Sequence, residues 1–257
     1  MTVADFNVHL KKRKTMFRHQ GKRRTFVHNL RLATLLSFVA GIVNITGVLS
    51  IHILTTNVTG HFAFFAEEMI RHEYAAAITF LILTLFFLSG AFLSNLIIEA
   101  VARRYQQFSH VIPIALEMMI LIAVALFGLE TSLAETDGKS IAFALLLAMG
   151  IQNALVTKIS QSTVRTTHLT GLFTDLGIEL SQLFFYRKPV EIKRLQTNIY
   201  LRLSIIGSFF MGCILGGYLY GHLQVKTLLA AVVILLLALV YDYMRLQYFT
   251  IKRKTFR

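Results

Sequence analysis

The chain has 257 residues, of which 55% are hydrophobic and only 15% are charged. Soluble domains carry about 25% charged residues, so this composition excludes an ordinary soluble globular protein. The formal net charge of +13 would suit a nucleic-acid-binding protein, but the cytoplasmic ends of membrane proteins also collect Lys and Arg, and we therefore predict no nucleic-acid partner.

Residues 1–30 form a basic N-terminal arm that we predict to lie in the cytoplasm. Nine Lys and Arg side chains fall within residues 1–31, against the single acid Asp5. Such a cluster is attracted to anionic headgroups, with about 1 kcal/mol for each basic group near the surface. Membrane lipid is therefore a predicted partner, and the basic segment 246–257 is a predicted cytoplasmic tail.

Six apolar runs follow the arm, and their lengths are typical of helices that cross a membrane. They are residues 31–50, 75–98, 111–129, 140–157, 199–220 and 226–244. These runs predict a single all-α membrane domain over residues 31–245.

Two further stretches, 55–70 and 166–185, are helical in pattern but rich in Thr, Asn, His and acidic residues. If both cross the membrane the chain has eight spans, and if both enter and return it has six. Only the six-span topology keeps the basic loops on one side and the acidic loops on the other. We therefore predict six transmembrane helices plus two re-entrant or broken helices, with both termini in the cytoplasm.

The chain also repeats itself at three places in the same order. The sequence GIVN at 41–44 is echoed by GIQN at 150–153, TTNVTG at 55–60 by TTHLTG at 166–171, and SGA at 89–91 by MGC at 211–213. Repeat 1 then covers about 31–129 and repeat 2 about 140–244, with three spans each. An odd number of spans makes the copies antiparallel across the bilayer, so we predict two inverted repeats, as in many transporters.

The two threonine-rich stretches form the predicted solute site. Thr and Asn favour caps and turns, so each stretch is expected to start a short helix after an extended entry. The free N–H groups of two such helix N-termini, facing each other, suit an anion or a carboxylate. Alternatively, these residues only cap ordinary spans. The predicted binding residues are Asn44, Thr55, Thr56, Asn57, Thr59, Gly60, Asn153, Arg165, Thr166, Thr167, His168, Thr170 and Gly171.

Acidic residues beside the second stretch are predicted to couple transport to a proton or a cation. His168, Asp175 and Glu179 are spaced i, i+7 and i+11 and share one helical face. In the first copy, Phe64 stands in the place of Asp175 and Glu68 in the place of Glu179. The alternative is that these carboxylates sit at the water interface, where helix ends are expected.

Glu117 is a further coupling candidate because the run from 114 to 127 is otherwise apolar. An ionisable group inside a span costs at least about 2.5–3.5 kcal/mol on insertion scales, and is a functional candidate by default. The alternative is a carboxyl that is protonated, or hydrogen-bonded to Asn95 or Asn153 inside the bundle.

Small residues on the fifth span, at Gly212, Gly216, Gly217 and Gly221, form faces that let helices approach closely. They predict packing within the chain or in a homodimer. No nucleophile–base pair stands out, and no two histidines fall at ligand spacing with a carboxylate, so we predict no enzyme activity, no metal and no cofactor.

Several of these motifs resemble the YoaK-like family of bacterial integral membrane proteins, a domain of unknown function. They are Ala40 to Asn44, Thr59-Gly60-His61, GIQNAL at 150–155 and TTHLTGLFTDLG at 166–177. The resemblance covers about residues 32–244. It implies a multi-pass protein of the bacterial cytoplasmic membrane, and it supplies no established activity.

The sequence favours a secondary transporter or channel for a small anionic or zwitterionic solute. The threonine-rich stretches would bind the solute, and Arg165 would favour negative charge. The alternative is a non-transporting scaffold or sensor whose basic arm recruits lipid or protein partners to the membrane.

Overall fold

The computed structural model describes residues 26–105, 109–128, 135–160 and 166–255. Within these ranges the chain forms eight α-helices and one 3-10 turn, and no strand. The helices are α1 Phe26–Ile51, α2 Val58–Ile70, α3 Tyr74–Tyr105, α4 Val111–Phe127, α5 Glu135–Ser160, α6 Leu169–Gln182, α7 Pro189–Leu223 and α8 Leu228–Thr255, with the 3-10 turn Gln224–Thr227 before α8.

Two helices extend well beyond the predicted spans because apolar runs mark only part of a helix. Helix α7 begins ten residues before the predicted span 199–220. Pro189 stands in its first turn and Glu191 follows, which are the residue types that favour a helix N-terminus. Helix α8 continues to Thr255, into the segment assigned to the tail.

The helices are long and apolar enough for a membrane protein. Four stretches meet the length and hydropathy of a membrane span, and the shorter helix α4 is also apolar. The stretches are Leu30–Ile51, Tyr74–Arg104, Gly138–Ser160 and Pro189–Met244, the last of which contains both α7 and α8. The chain is therefore an all-α membrane protein.

The most extensive packing in the described chain joins α1 to α7 and α3 to α5. In both pairs, the helices cross at glycines, which have no side chain to separate the two backbones. A Cβ atom at Gly41 would lie 2.2 Å from the Phe209 carbonyl oxygen, and one at Gly150 would lie 2.1 Å from that of Phe87. A Cβ atom at the partner glycines, Gly212 and Gly90, would lie equally close to a carbonyl oxygen of the facing helix. The paired backbones are therefore in direct contact.

The contacts between α1 and α5 fix their relative direction, because residue numbers rise along α1 as they fall along α5. The contacting pairs are Leu36 with Gln152, Gly47 with Leu145, and Ile51 with Gly138. Helices α1 and α5 are therefore antiparallel, although the sequence motifs on them match.

Within each crossing pair the helices run the same way. Residue numbers rise together along α1 and α7, as they do along α3 and α5. The contacts are Phe38 with Gly212, Ile42 with Gly216, Phe86 with Phe143, and Glu99 with Lys158.

Two short helices pack on the long ones, α2 on α3 and α6 on α7. They contain 13 and 14 residues, which corresponds to lengths of about 20 Å. That is less than the roughly 30 Å of a bilayer's hydrocarbon core. Neither short helix could cross a membrane upright.

The glycine face of α7 is used inside the chain. Gly212 and Gly216 are buried against α1, and Gly217 lies within van der Waals distance of Ile45. Open space surrounds Gly221, so of the four predicted interface glycines it alone offers a free surface within the described chain. The homodimer stays a prediction.

Replacing Gly212 with Ala tests the crossing of α1 and α7. The new Cβ would meet the Phe38 carbonyl oxygen at 2.2 Å, and such overpacking costs about 1–3 kcal/mol. We expect Gly212→Ala to lower the thermal unfolding temperature in detergent. The matched control is Gly207→Ala on the same helix, where no atom lies within 4 Å. Equal unfolding temperatures for both variants would contradict the crossing.

Candidate functional site

The first threonine-rich stretch follows a sharp reversal at the end of α1. His52 takes a left-handed backbone conformation (φ 57°), and the Ile53 N–H donates to the Gly47 carbonyl at 3.4 Å. The chain thus turns back along α1 in a non-helical form. Thr55 is fully buried where the returning chain packs beside Gly47.

A side chain of α1 holds the returning chain in place. The Thr56 hydroxyl donates to the Asn44 side-chain oxygen at 3.0 Å. One residue later, Asn57 caps α2 by accepting the Gly60 N–H at 3.1 Å. Helix α2 therefore begins level with Asn44, which lies seven residues before the end of α1, or about 10 Å along its axis.

The second stretch repeats this arrangement on α5. The Asn153 side-chain oxygen accepts the Thr167 hydroxyl at 2.7 Å and the Thr166 hydroxyl at 3.4 Å. Thr166 is fully buried, as Thr55 is. Helix α6 begins two residues after Thr167, and Asn153 lies seven residues before the end of α5.

We call these two places the first and the second junction, defined by Asn44, Thr56 and Asn57 and by Asn153, Thr167 and His168. Their caps differ. His168 makes no capping hydrogen bond to α6, and its ring instead packs over Gly171, where an added Cβ would lie 2.4 Å from Nε2. The N-terminus of α6 consequently lacks the side-chain cap that α2 has.

The structure brings the predicted binding residues together in two groups rather than one. Gln152, the neighbour of Asn153 in the second junction, lies level with Leu36 of α1. Asn44 of the first junction lies eight residues further along α1, so the two junctions are roughly 12 Å apart along its axis. Thr59 and Thr170 are exposed at the first turns of α2 and α6. Arg165 lies outside the described residues.

The predicted coupling carboxylates of α6 are ion-paired to a residue that the sequence reasoning missed. Arg202 on α7 donates to Glu179 at 2.8 and 2.9 Å and approaches Asp175 at 3.4 Å. Asn198 donates to Glu179 at 3.0 Å. Glu179 is buried, and both of its carboxylate oxygens are hydrogen-bonded. Asp175 is half exposed, so its carboxylate remains accessible to solvent.

The corresponding contact beside the first junction is apolar. Phe64 and Phe80 pack with ring centroids 5.3 Å apart, between α2 and α3. The motif alignment places Phe64 opposite Asp175, and counting from Gly90 and Gly212 places Phe80 opposite Arg202. An aromatic pair in one half therefore corresponds to an ion pair in the other.

Glu117 is fully buried on α4, and neither of its carboxyl oxygens has a hydrogen-bond partner in the described chain. The alternative of a hydrogen bond from Glu117 to Asn95 or Asn153 is therefore wrong, whereas the alternative of a protonated carboxyl stays a prediction. Asn95 is exposed on α3, and the amide nitrogen of Asn153, which is the group that would donate to a carboxylate, has no hydrogen-bond partner in the described residues.

Two buried or ion-paired polar residues that were not predicted, Arg202 and Gln152, could have been identified from the sequence. Arg202 is the only charged residue in the predicted span 199–220, and a charge inside a span is a functional candidate by default. Gln152 lies within the repeated GIQN motif and is fully buried, with its amide donating to the Leu36 carbonyl at 2.8 Å. Among the described residues, no three His, Cys, Asp or Glu side chains gather as a metal site.

Comparison with known proteins places the chain in a family. A family model described as "Protein of unknown function (DUF1275)" matches residues 32–241. The chain belongs to this family. It is also 24% identical over 185 residues to the UPF0700 transmembrane protein YoaK of Bacillus subtilis (strain 168), covering 72% of this chain and 80% of the relative. No solved structure matches significantly.

These matches confirm the resemblance seen in the motifs. They agree with the apolar helices in making this chain an integral membrane protein. They assign no activity to either junction.

Removing Arg202 tests the ion-paired cluster. Arg202→Ala would leave Glu179 as a buried carboxylate without its charge partner, which costs about 3–5 kcal/mol. We expect a clear loss of thermal stability in detergent. Arg71→Ala is the control, because Arg71 pairs with Glu67 on an exposed surface, where such pairs contribute about 0–1 kcal/mol. Similar small losses in both variants would contradict the cluster.

Proposed function

We propose that this protein is a secondary transporter or channel, with six membrane spans and two re-entrant helices arranged as inverted repeats. The observation that carries the proposal is the pair of matching junctions on antiparallel helices. Non-helical backbone at membrane depth is tolerated only inside protein or beside a water-filled cavity. Transporters use such broken helices, in inverted repeats, to bind their solutes.

The directions of the helices support six spans rather than eight. In an eight-span chain, α1 and α5 would run the same way, because three crossings, by α2, α3 and α4, would lie between them. In a six-span chain they run in opposite directions. The antiparallel contacts of α1 with α5 favour the second arrangement.

The charge distribution supports the orientation. In the six-span arrangement, the ends of α3 and α5 and the start of α7 share one face with both termini. This face carries Arg103, Arg104, Lys158 and the basic segment 187–194, whereas Glu67, Glu68 and Glu73 fall on the opposite face. Because Lys and Arg favour the cytoplasmic side, both termini are cytoplasmic in our proposal, as in a bacterial inner-membrane protein.

The proposed site lies between the junctions. Helices α2 and α6 both start inside the bundle and run toward opposite faces, so their N-termini are directed at the interior. The positive end of a helix dipole favours anions and carboxylates. The second junction has an uncapped N-terminus at His168, and Arg165 precedes it in the sequence. A small anionic or zwitterionic solute fits this chemistry best.

Flux measurements on purified protein in liposomes test the proposal. Chloride, short monocarboxylates and neutral amino acids serve as probes, and we expect at least one to move faster than in protein-free liposomes. Losing one hydrogen bond is worth about 1 kcal/mol, or about a fivefold change. We therefore expect Thr56→Val and Thr167→Val each to reduce that flux about fivefold.

The matched controls are Thr79→Val and Thr197→Val. The hydroxyls of these partly exposed residues bond to the preceding turn of their own helix, at 2.9 and 2.8 Å, and not to another element. The controls should keep full flux. Equal flux in all four variants would remove the junctions as the site. Absence of flux for every probe, together with a phenotype lost on deleting residues 1–25, would favour the recruiting scaffold instead.

A further inference from the structure

We infer that Glu117 binds a proton and donates it in a hydrogen bond to the side-chain oxygen of Gln152, which joins α4 through α5 to α1. This inference goes beyond the proposed function, since it concerns a proton-binding site that exists whether or not a solute is transported.

The first observation is the isolation of the carboxyl group. Glu117 has no accessible surface, and both of its oxygens lack partners within the described chain. An isolated carboxylate in an apolar interior is very costly, so such a group either takes up a proton or binds a cation.

The second observation is the register of α4 against α5. An added Cβ at Gly128, at the end of α4, would lie 3.2 Å from the side chain of Ile141, near the start of α5. Helices α4 and α5 pack on each other, and consecutive helices whose facing ends meet in this way run antiparallel. Counting back from this contact along an antiparallel pair places four buried residues of α4 level with buried residues of α5. The pairs are Val124 with Leu145, Leu121 with Ala148, Glu117 with Gln152, and Ile114 with Leu155.

The third observation is that the side-chain oxygen of Gln152 is a buried acceptor without a partner in the described residues. The amide nitrogen of Gln152 donates to the Leu36 carbonyl of α1 at 2.8 Å, which fixes the orientation of the side chain. Two sets of acceptors on facing positions cannot bond to each other, and one proton on Glu117 supplies the missing donor.

A proton fits this pair better than a metal cation does. The carboxylate and the amide oxygen together offer three ligand atoms, whereas hard cations take about six or more oxygens. A protonated carboxyl, by contrast, needs one acceptor, which Gln152 provides.

Other charged groups lie toward the ends of the elements that pack on α4. At the level of Glu117, residues 148–156 of α5 and 231–240 of α8 carry no charge. The titratable and charged residues of the packed elements are Tyr74, Glu99, Arg103, Arg104 and Tyr105 of α3, Glu135, Asp137, Lys139 and Lys158 of α5, Lys226 of the 3-10 turn, and Tyr241, Asp242, Tyr243, Arg245, Tyr248, Lys252, Arg253 and Lys254 of α8, with His110 preceding α4 itself.

Infrared spectroscopy of the full-length protein in lipid tests this assignment. A protonated carboxyl has a C=O stretching band distinct from that of a carboxylate. At neutral pH we expect this band in the parent protein and its loss in Glu117→Gln. The control Glu73→Gln should keep the band, because Glu73 is exposed.

Gln152→Leu provides the second variant, and it leaves Glu117 in place. Removing the acceptor should retain the band but move it to higher frequency, because a free carboxyl group absorbs above a hydrogen-bonded one. An unmoved band would overturn Gln152 as the partner. Absence of the band at neutral pH in the parent, or its loss on adding sodium at constant pH, would overturn the bound proton.

Discussion

The arrangement depends on one constraint: backbone that leaves the helical form inside a membrane must be held by polar groups of the surrounding helices. Asn44 and Asn153 meet that constraint here. Each accepts a threonine hydroxyl from a chain that has turned back inside the bundle. Without these bonds, the short helices α2 and α6 would have no fixed starting point. The two helix N-termini that form the proposed solute site would then no longer be held in position.

The glycine crossings make this geometry available. Because the backbones of α1 and α7 touch at Gly41 and Gly212, and those of α3 and α5 at Gly90 and Gly150, these four helices form two tight pairs. Each asparagine projects beside such a crossing, and the returning chain packs there. The two short helices contact their long neighbours differently. Helix α2 packs on α3 through the aromatic pair of Phe64 and Phe80, whereas α6 is joined to α7 by the ion pair of Asp175 and Arg202.

The repeated motifs predicted where the two short helices begin, whereas the binding role of the residues around them stays a prediction. The helix start after Asn57 follows from the capping preference of short polar side chains. The start after His168 follows from the repeated TTxxTG motif alone, since His168 makes no capping hydrogen bond. The ion pair of Arg202 was not predicted, since its partners lie 23 and 27 residues away on another helix and periodicity within one helix cannot reveal them. The lack of a hydrogen-bond partner for the Glu117 carboxyl was not predictable either, because it depends on how α4 and α5 are aligned.

Cysteine labelling in intact cells tests the inverted arrangement most directly. In a Cys213→Ser background, which keeps a donor for the Gly41 carbonyl, single cysteines replace Arg71 and Arg103. An impermeant maleimide should label position 71 from outside and position 103 only after permeabilisation. Positions 226 and 188 serve as outside and inside references, because six-span and eight-span chains agree there. Outside labelling at 103 together with protection at 71 would contradict the account.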